Sequence, residues 1–497
     1  MSHGEKDAEP ASPVSGGDEK KLVRKQDSRL IPLSAAIYFL CFLDRSNMGN
    51  AKILNSTRHD DMESSLNMSH RQFDVALMTF VISYAIFEVP SNILLKKLRP
   101  SRWLSFLMFG WGAITVSLSG VRSFSAVAGV RFLLGMFEAG LFPGLVYYLT
   151  FWYRHDERSV RESKSSNRVD GERAVASVAF VLASATLAGA FGGAIAYAIG
   201  HMNGVRGLQG WRWLFIIEGI PSCISAFFVF FLLPDYPEKA SWLSKSEKDL
   251  AATRLLHEGS SSSQKSMSWA DAKETLTDWR LYAHYAIYFA ICSPFASLSL
   301  FAPSLTANMG FGDLTAQLMT VPPWAVAYVL MFVDIRIVCQ IIVAYSADRF
   351  NARSVHAAGA AFVGAAGFAA LAALPPSAYK ARYGALFLAA SGTFAGLPPL
   401  LGWLTCNLFS TASTGLAVAI NVSIGGGLGQ VPGIWAYNPS EASIGYPTGH
   451  WTNAGLLLLV TVLTLALRAF YGRENKRLTA DEAAKGGRGE QVRLYKL

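Results

Sequence analysis

Charge is what this sequence has least of. Only 16% of its 497 residues are Asp, Glu, Lys or Arg, while 52% are hydrophobic; soluble domains carry about 25% charged residues. The alternation of polar and apolar faces expected of soluble domains of roughly 150 residues is missing over long stretches. Cysteine is scarce as well. Cys41, Cys223, Cys292, Cys339 and Cys406 are widely spaced, form no CxxC pair and have no His at metal spacing, which excludes a disulfide framework and a metal cluster. HExxH, GxSxG and DFG motifs are lacking too, so the chain is read as no enzyme, with no cofactor and no metal. The first 29 residues are polar and hold no apolar stretch before a small-residue cleavage site, so no removable signal peptide is expected.

What is present is a succession of apolar runs of about 20 residues, each long enough to cross a hydrocarbon core of about 30 Å. Runs and breakers place spans at 30–50, 73–95, 103–120, 124–150, 174–199, 212–233, 281–303, 315–347, 354–374, 383–406, 412–436 and 451–470. The longest polar interruption divides them six and six. The expectation is an all-α membrane protein of twelve transmembrane helices in two pseudo-symmetric halves, 30–233 and 281–470. A polar N-terminal tail (1–29), a linker (234–280) and a C-terminal tail (471–497) complete the chain. Such symmetry places a binding site between the halves near the midplane.

The formal charge of +9 does not form the single stripe that nucleic acid would need. Thirty-three of the 44 Lys and Arg fall on the face carrying both tails and the linker, and seven on the other. The positive-inside rule therefore puts both termini in the cytoplasm. Two N-x-[ST] triplets, beginning at Asn55 and Asn67, fall in the first outward loop. The plasma membrane is the default location, the bilayer the first partner, and a monomer the expected state.

Ionisable groups inside a span cost about 2.5–3.5 kcal/mol each, so those that persist face a protein or water cavity. The first span, IPLSAAIYFLCFLDRSNMGNAKI, carries Asp44 and Arg45 with Asn47 and Asn50 close behind. Asp44 lies about 14 residues into the run, roughly 20 Å of helical rise, too deep for a simple interfacial end. The fourth span carries Arg131 and Glu138, seven apart and so on nearly one helix face. Gly135, Gly140 and Gly144 thin the helix there and Pro143 loosens its backbone. A carboxyl held between a low-dielectric cavity and an arginine can load and release a proton as the arginine engages an anion, and the planar guanidinium matches a carboxylate bidentately. Asp44 and Glu138 are thus read as proton-coupling residues. Arg45, Arg131, Asn47, Tyr288 and Asn421 are read as substrate-binding, with Ser293 and Ser423 as further donors. Trp211, Arg212 and Trp213 read as an interfacial anchor. The GGGLGQVPG run at 425–433 is no phosphate loop, because no Lys-Ser/Thr follows it.

From about Ser28 to Arg477 the chain resembles the major facilitator superfamily. FLDRSNMGNAKI, VPSNILLKKLRPSRW, RFLLGMFEAGLFPG, ATLAGAFGG, GWRWLFIIEG, TAQLMTVPPWAVA and YGRENKRL, in this order, are similar to the fungal allantoate and nicotinate permease branch of its anion:cation symporters. The resemblance implies alternating access by two rocking halves that carry a small organic anion together with protons. It also matches Asp44-Arg45 and the Arg131/Glu138 pair to the family's acidic and basic residues in helices one and four. AYSADRFNAR resembles the superfamily's gating motif, through Asp348, Arg349 and Arg353, while the first-half counterpart, PSNILLKKLRPSRW, lacks its Asp. Two segments look foreign to the pattern: ESKSSNRVDGERAVASVA at 162–179 and DIRIVCQII at 334–342. Nine extra residues in a span turn its face by about half a turn, so Asp334 and Arg336 are read as an insertion and not as a coupling pair. The alternative functions are a nutrient receptor, disfavoured by a short tail after Arg477, and a proton-coupled efflux carrier for a fungal metabolite, disfavoured by AGAFGG, which has the glycines but not the proline of drug antiporters.

Overall fold

The computed structural model describes residues 16–149, 151–153, 171–256, 269–336, 353–408, 411–484 and 495. Among them there is no strand, and helices cover every apolar run. The long ones are α1 (Gly16–Ile53), α2 (His70–Lys97), α3 (Pro100–Leu118), α4 (Phe124–Glu138 continued by Leu141–Leu149), α5 (Gly171–Gly200) and α6 (Gly210–Leu232). After the linker come α7 (Trp279–Asn308), α8 (Val321–Arg336), α9 (Arg353–Ala373) and α10 (Tyr379–Cys406). Then follow α11, which opens with Thr411–Asn421 and ends with Val431–Trp435, and α12 (Pro447–Ala484). Nine helical stretches among the described residues are long and apolar enough to span a bilayer. Three helices fall outside that number: α1, with Asp44 and Arg45 in its run, α3, and α8, with only 16 described residues.

Local chemistry sets the boundaries. Ser69 and Gln72 form a reciprocal capping box at the start of α2, a device worth about 1 kcal/mol. Pro100 stands at the first position of α3, where its missing N–H costs nothing. Inside α4 the same absence has a cost: Pro143 offers no N–H to the Ala139 carbonyl, and the helix breaks just after Glu138. α11 is interrupted by a π-helical turn, Val422–Gly427, and a 3-10 turn, Leu428–Gln430.

Neighbour relations recur six helices apart. α1 packs on α5 and α7 on α11; α2 packs on α4 and α8 on α10; α3 packs on α6 and α9 on α12. The two sets meet along α1 with α7, α2 with α11, and α5 with α8. α7 is buried on nearly every side, as a central helix must be. α6, at the periphery, exposes Phe227, Phe228, Phe230, Phe231 and Leu232, a face only lipid can solvate.

On the linker face, α1 starts fourteen residues before the expected span, so part of the expected tail is helical. Lys25 there pairs with Glu247 at 2.8 Å, and Tyr153 donates to Asp27 at 2.8 Å. Trp152 stacks on Trp242 of the linker. Half of the foreign-looking 162–179 segment, from Gly171 on, continues into α5; 162–170 lies outside the described residues. α8 runs unbroken through Asp334 to Arg336, and 337–342 lies outside them too.

Two sequence expectations need correction. Trp211 is no interfacial anchor: it is fully buried, donates to Ser65 at 3.2 Å, and carries the Arg212 guanidinium 4.2 Å above its ring. Arg382, one residue before the expected 383–406 span and so among the seven basic residues of the outward loops, is buried in the first turn of α10 and donates to the Gly445 carbonyl at 2.6 Å. In both cases the side chain satisfies a loop instead of meeting the interface.

Candidate functional site

Between the two sets of helices lies a narrow cavity of about 40 Å³. Tyr38 and Arg45 of α1, Tyr84 of α2 and Phe142 of α4 form one wall; Tyr288, Cys292 and Phe295 of α7 and Phe394 of α10 face them. Gly426 and Gln430 of α11 close the side. Among the described lining residues Arg45 is the one that carries charge at neutral pH, so the described wall is aromatic with a single cationic fork.

The fork is held from behind. Nε and Nη2 of Arg45 donate to Glu138 Oε2 at 3.2 and 3.1 Å, and the Cys41 thiol lies 3.6 Å from the same oxygen. Glu138 is fully buried and its Oε1 has no hydrogen-bond partner among the described residues. The Arg45 guanidinium also sits 5.1 Å from the Phe80 ring and 4.7 Å from Tyr84, and Arg131 lies 4.3 Å from Phe80. Desolvated cation–π contacts of this kind are worth about 2 kcal/mol. Arg131 is buried, with Nε and Nη1 unpartnered among the described residues. Two guanidiniums therefore flank one carboxylate beside the cavity, Arg45 in contact with it and Arg131 farther off.

Consecutive helix residues point about 100° apart, and Asp44 and Arg45 diverge accordingly. Asp44 turns toward α6, accepting from Ser222 at 2.7 Å, and Asn47 donates to Glu218 at 2.5 Å. These four form a buried polar seam behind the wall. Of the expected substrate contacts, Arg45 and Tyr288 line the cavity. Arg131 lies behind Phe80, Asn47 is committed to Glu218, and Asn421 is buried beside the lining residue Val422. Ser293 donates to Asn453 at 3.2 Å and Ser423 to the Ala85 carbonyl at 2.7 Å.

The profile of the Major Facilitator Superfamily matches residues 35–434. The chain belongs to that superfamily. It is a membrane transporter and not an enzyme, with the all-helical major facilitator fold. It is 57% identical to the MFS transporter prlL of Fungal sp. (strain NRRL 50135), over 97% of this chain and 92% of prlL. It is 30% identical, over 91% of this chain, to 93% of an Agrobacterium vitis protein whose name proposes tartrate as its cargo. In three dimensions it is similar to the proton:xylose symporter XylE, with a TM-score of 0.63 at 14% identity over 88% of this chain and 96% of XylE.

In a major facilitator, the halves must part on one face at a time. Here the face opposite the linker is latched. Gln317 donates to the Asn50 carbonyl at 3.0 Å, Asp313 accepts from the Thr57 backbone at 2.7 Å, and Lys52 lies 5.1 Å from the Phe301 ring of α7. Lys52 is placed by a local cluster: its Nζ is 3.0 Å from His70 and 3.5 Å from Glu63, and His70 is 3.3 Å from Asp74. Burial pushes the Glu63 carboxyl up, but the His70 hydrogen bond and the Lys52 charge outweigh it and hold it below the ordinary carboxylate value. Glu63 is ionised and anchors Lys52 at pH above the ordinary carboxylate value of about 4.3, and that anchor is lost as pH falls through the depressed value. Between pH 5 and 7 Glu63 therefore keeps the latch at constant strength. Glu63→Gln is expected to loosen it by about 0.5–1 kcal/mol, two- to five-fold, read as faster labelling of Cys292 by a membrane-impermeant thiol reagent. An unchanged rate would remove Glu63 from the latch.

Of the gating motif, Arg353 starts α9, its Nη1 3.4 Å from the Gly402 carbonyl; Asp348 and Arg349 lie outside the described residues. Sequence reasoning passed over Glu88, buried on α2 with no partner for either oxygen among the described residues, and gave Glu218 no role. The signal was available: each is a lone Glu inside an apolar run.

Proposed function

We propose that this transporter imports a small organic anion, a carboxylate such as a vitamin or a nitrogen-source acid, by proton symport with alternating access. One observation carries the reading: the single charged residue among the described lining residues, Arg45, is a guanidinium whose present partner is a buried carboxylate. A cargo carboxylate entering the cavity competes with Glu138 for that fork. Once deprived of Arg45, Glu138 loses its two hydrogen bonds and keeps only the more distant Arg131 as a counter-charge, which raises the cost of its buried charge, and it resolves that cost by taking up a proton. Anion and proton thus load together.

In this scheme Arg45 binds the cargo and Tyr288 contacts it from the opposite wall. Arg131 keeps Glu138 ionised until the cargo arrives, while Asn47 and Asn421 support the wall from behind. Asp44, packed on Ser222, is the second proton-handling carboxyl. The tartrate assignment of the Agrobacterium vitis relative supports an anionic cargo, and the motifs of α1, α4 and α6 support the anion:cation symporter branch. The charge bias of the loops supports a cytoplasmic placement of the termini and linker; the plasma membrane is the default location and a monomer the expected state.

Uptake of a panel of labelled carboxylates at two external pH values tests the proposal. Accumulation should be specific for anions and faster at the lower pH. In Glu138→Gln, uptake should lose its pH dependence and fall by about ten-fold or more. Full-strength proton-coupled uptake by that variant would remove Glu138 from the mechanism, and a neutral or cationic cargo moving outward would establish the efflux alternative.

A further inference from the structure

Glu88 is a carboxyl for which the scheme above has no task. It lies on α2 one turn beyond the cavity-lining Tyr84, fully buried, with neither oxygen hydrogen-bonded among the described residues. An ionised carboxylate without donors is far costlier in such a place than the neutral acid, so the geometry calls for a proton on Glu88 in this state.

Its surroundings say when that proton could leave. α2 runs along the seam between the halves, and the π-helical turn of α11 lies on it. Ser423 donates to the Ala85 carbonyl at 2.7 Å, and a Cβ on Gly427 would stand 2.8 Å from that of Ala85. The titratable and charged groups in electrostatic reach of Glu88 are Tyr84 on its own helix, Arg45 on α1, and Tyr288 and Cys292 on α7. The side chains that α11 brings to this seam, Ser423 and Gly427, carry no charge. From Glu88 the helix continues nine residues to Lys97, roughly 14 Å toward the linker face. Parting α2 from α11 on that face brings water to Glu88 and leaves the opposite latch shut.

Resting on the anion-symport reading, we infer that Glu88 is the exit carboxyl of the proton path. As the cargo lets go of Arg45, still inside the closed cavity, the guanidinium returns to Glu138. The Glu138 O–H bond breaks, its proton crosses cavity water beside Tyr84, and an O–H bond forms on the Glu88 carboxylate. When the seam opens, that second O–H bond breaks and the proton passes to water on the linker face. One proton moves and nothing is oxidised or reduced. The present arrangement, with Glu138 back on Arg45 and Glu88 unpartnered, is the state between the two transfers.

Glu88→Gln in the full-length protein, reconstituted in liposomes, separates this role from a structural one. Gln copies the shape and neutrality of the protonated acid, so membrane yield should match the wild type. Net proton-driven uptake should fall at least ten-fold, while exchange of labelled for unlabelled anion, which moves no net proton, should continue near the wild-type rate. Glu88→Asp, which keeps an acid, should restore net uptake in part with a shifted pH profile. Infrared spectroscopy gives a readout independent of cargo: a C=O band of a weakly hydrogen-bonded carboxylic acid, present in the wild type and lost in Glu88→Gln. Equal loss of exchange and net uptake, undiminished net uptake, or a band that survives the substitution would each overturn the inference. A wild type that shows the band and carries no anion would defeat the symport reading and leave the neutral Glu88 supported.

Discussion

Replacing Arg45 by Gln should abolish binding of anionic cargo. Removing one partner of a buried, hydrogen-bonded charge pair costs about 2–5 kcal/mol, and at 1.4 kcal/mol per decade affinity should fall at least about thirty-fold. The same substitution leaves Glu138 with only the more distant Arg131, so membrane yield should fall as well. That second effect is separable. In Arg45→Gln/Glu138→Gln the buried charge is gone with its partner, and yield should return while anion binding does not. Arg45→Lys should keep the charge but lose the planar fork that holds Glu138 through Nε and Nη2, giving an intermediate affinity. Equilibrium binding of labelled carboxylates to purified protein measures all three. Wild-type binding by Arg45→Gln would end the proposal, whatever the fold.

The depth of the α1 charges was legible because nothing but a cavity or a partner makes an aspartate and an arginine tolerable inside an apolar run. Their division of labour was not. It depends on the rotation of α1 about its own axis, which puts Asp44 on α6 and Arg45 at the cavity, and periodicity alone fixes no absolute rotation in a helix buried on several sides. Glu138 and Arg131 were found together because two turns separate them on one helix; Glu88 is as visible a lone acid in its run, but its role was not legible, because its neighbours in the seam come from α1, α7 and α11. The glycine run at 425–433 shows the same limit. Its chemistry excluded a phosphate loop, but its use is tertiary: a Cβ on Gly425 would stand 3.0 Å from the Tyr288 carbonyl carbon and one on Gly429 2.7 Å from the Phe289 oxygen, so α11 reaches α7 only without side chains there. Fold class, by contrast, rests on the summed length of apolar runs, a property of the chain that tertiary contacts do not alter.

Gly49→Ala should hold the face opposite the linker open. Gly49 lies where α1 meets α7, and a Cβ there would stand 2.9 Å from the Leu300 carbonyl carbon, closer still to its oxygen, and 3.1 Å from its Cα. Those are backbone atoms of a central helix, so no side-chain rotation relieves the overlap and the two helices must separate. Separation breaks the contacts that depend on their approach, Gln317 to the Asn50 carbonyl and Lys52 to the Phe301 ring. Overpacking of this kind costs about 1–3 kcal/mol, and here it falls only on the latched state, because the parted state has room for the methyl. The equilibrium between the two states should therefore shift by about 5- to 150-fold. Cargo should still bind from that side, net uptake should drop by a similar factor, and Cys292 on the cavity wall should become reactive to an impermeant thiol reagent, with Cys292→Ser removing the signal. Gly129→Ala is the control: it has open space around its Cβ and should change neither uptake nor labelling. Normal uptake by Gly49→Ala would mean that α1 and α7 need not touch during the cycle, and the latch would then have to reside in the Asp313 bond to Thr57 and the α5 and α8 contacts.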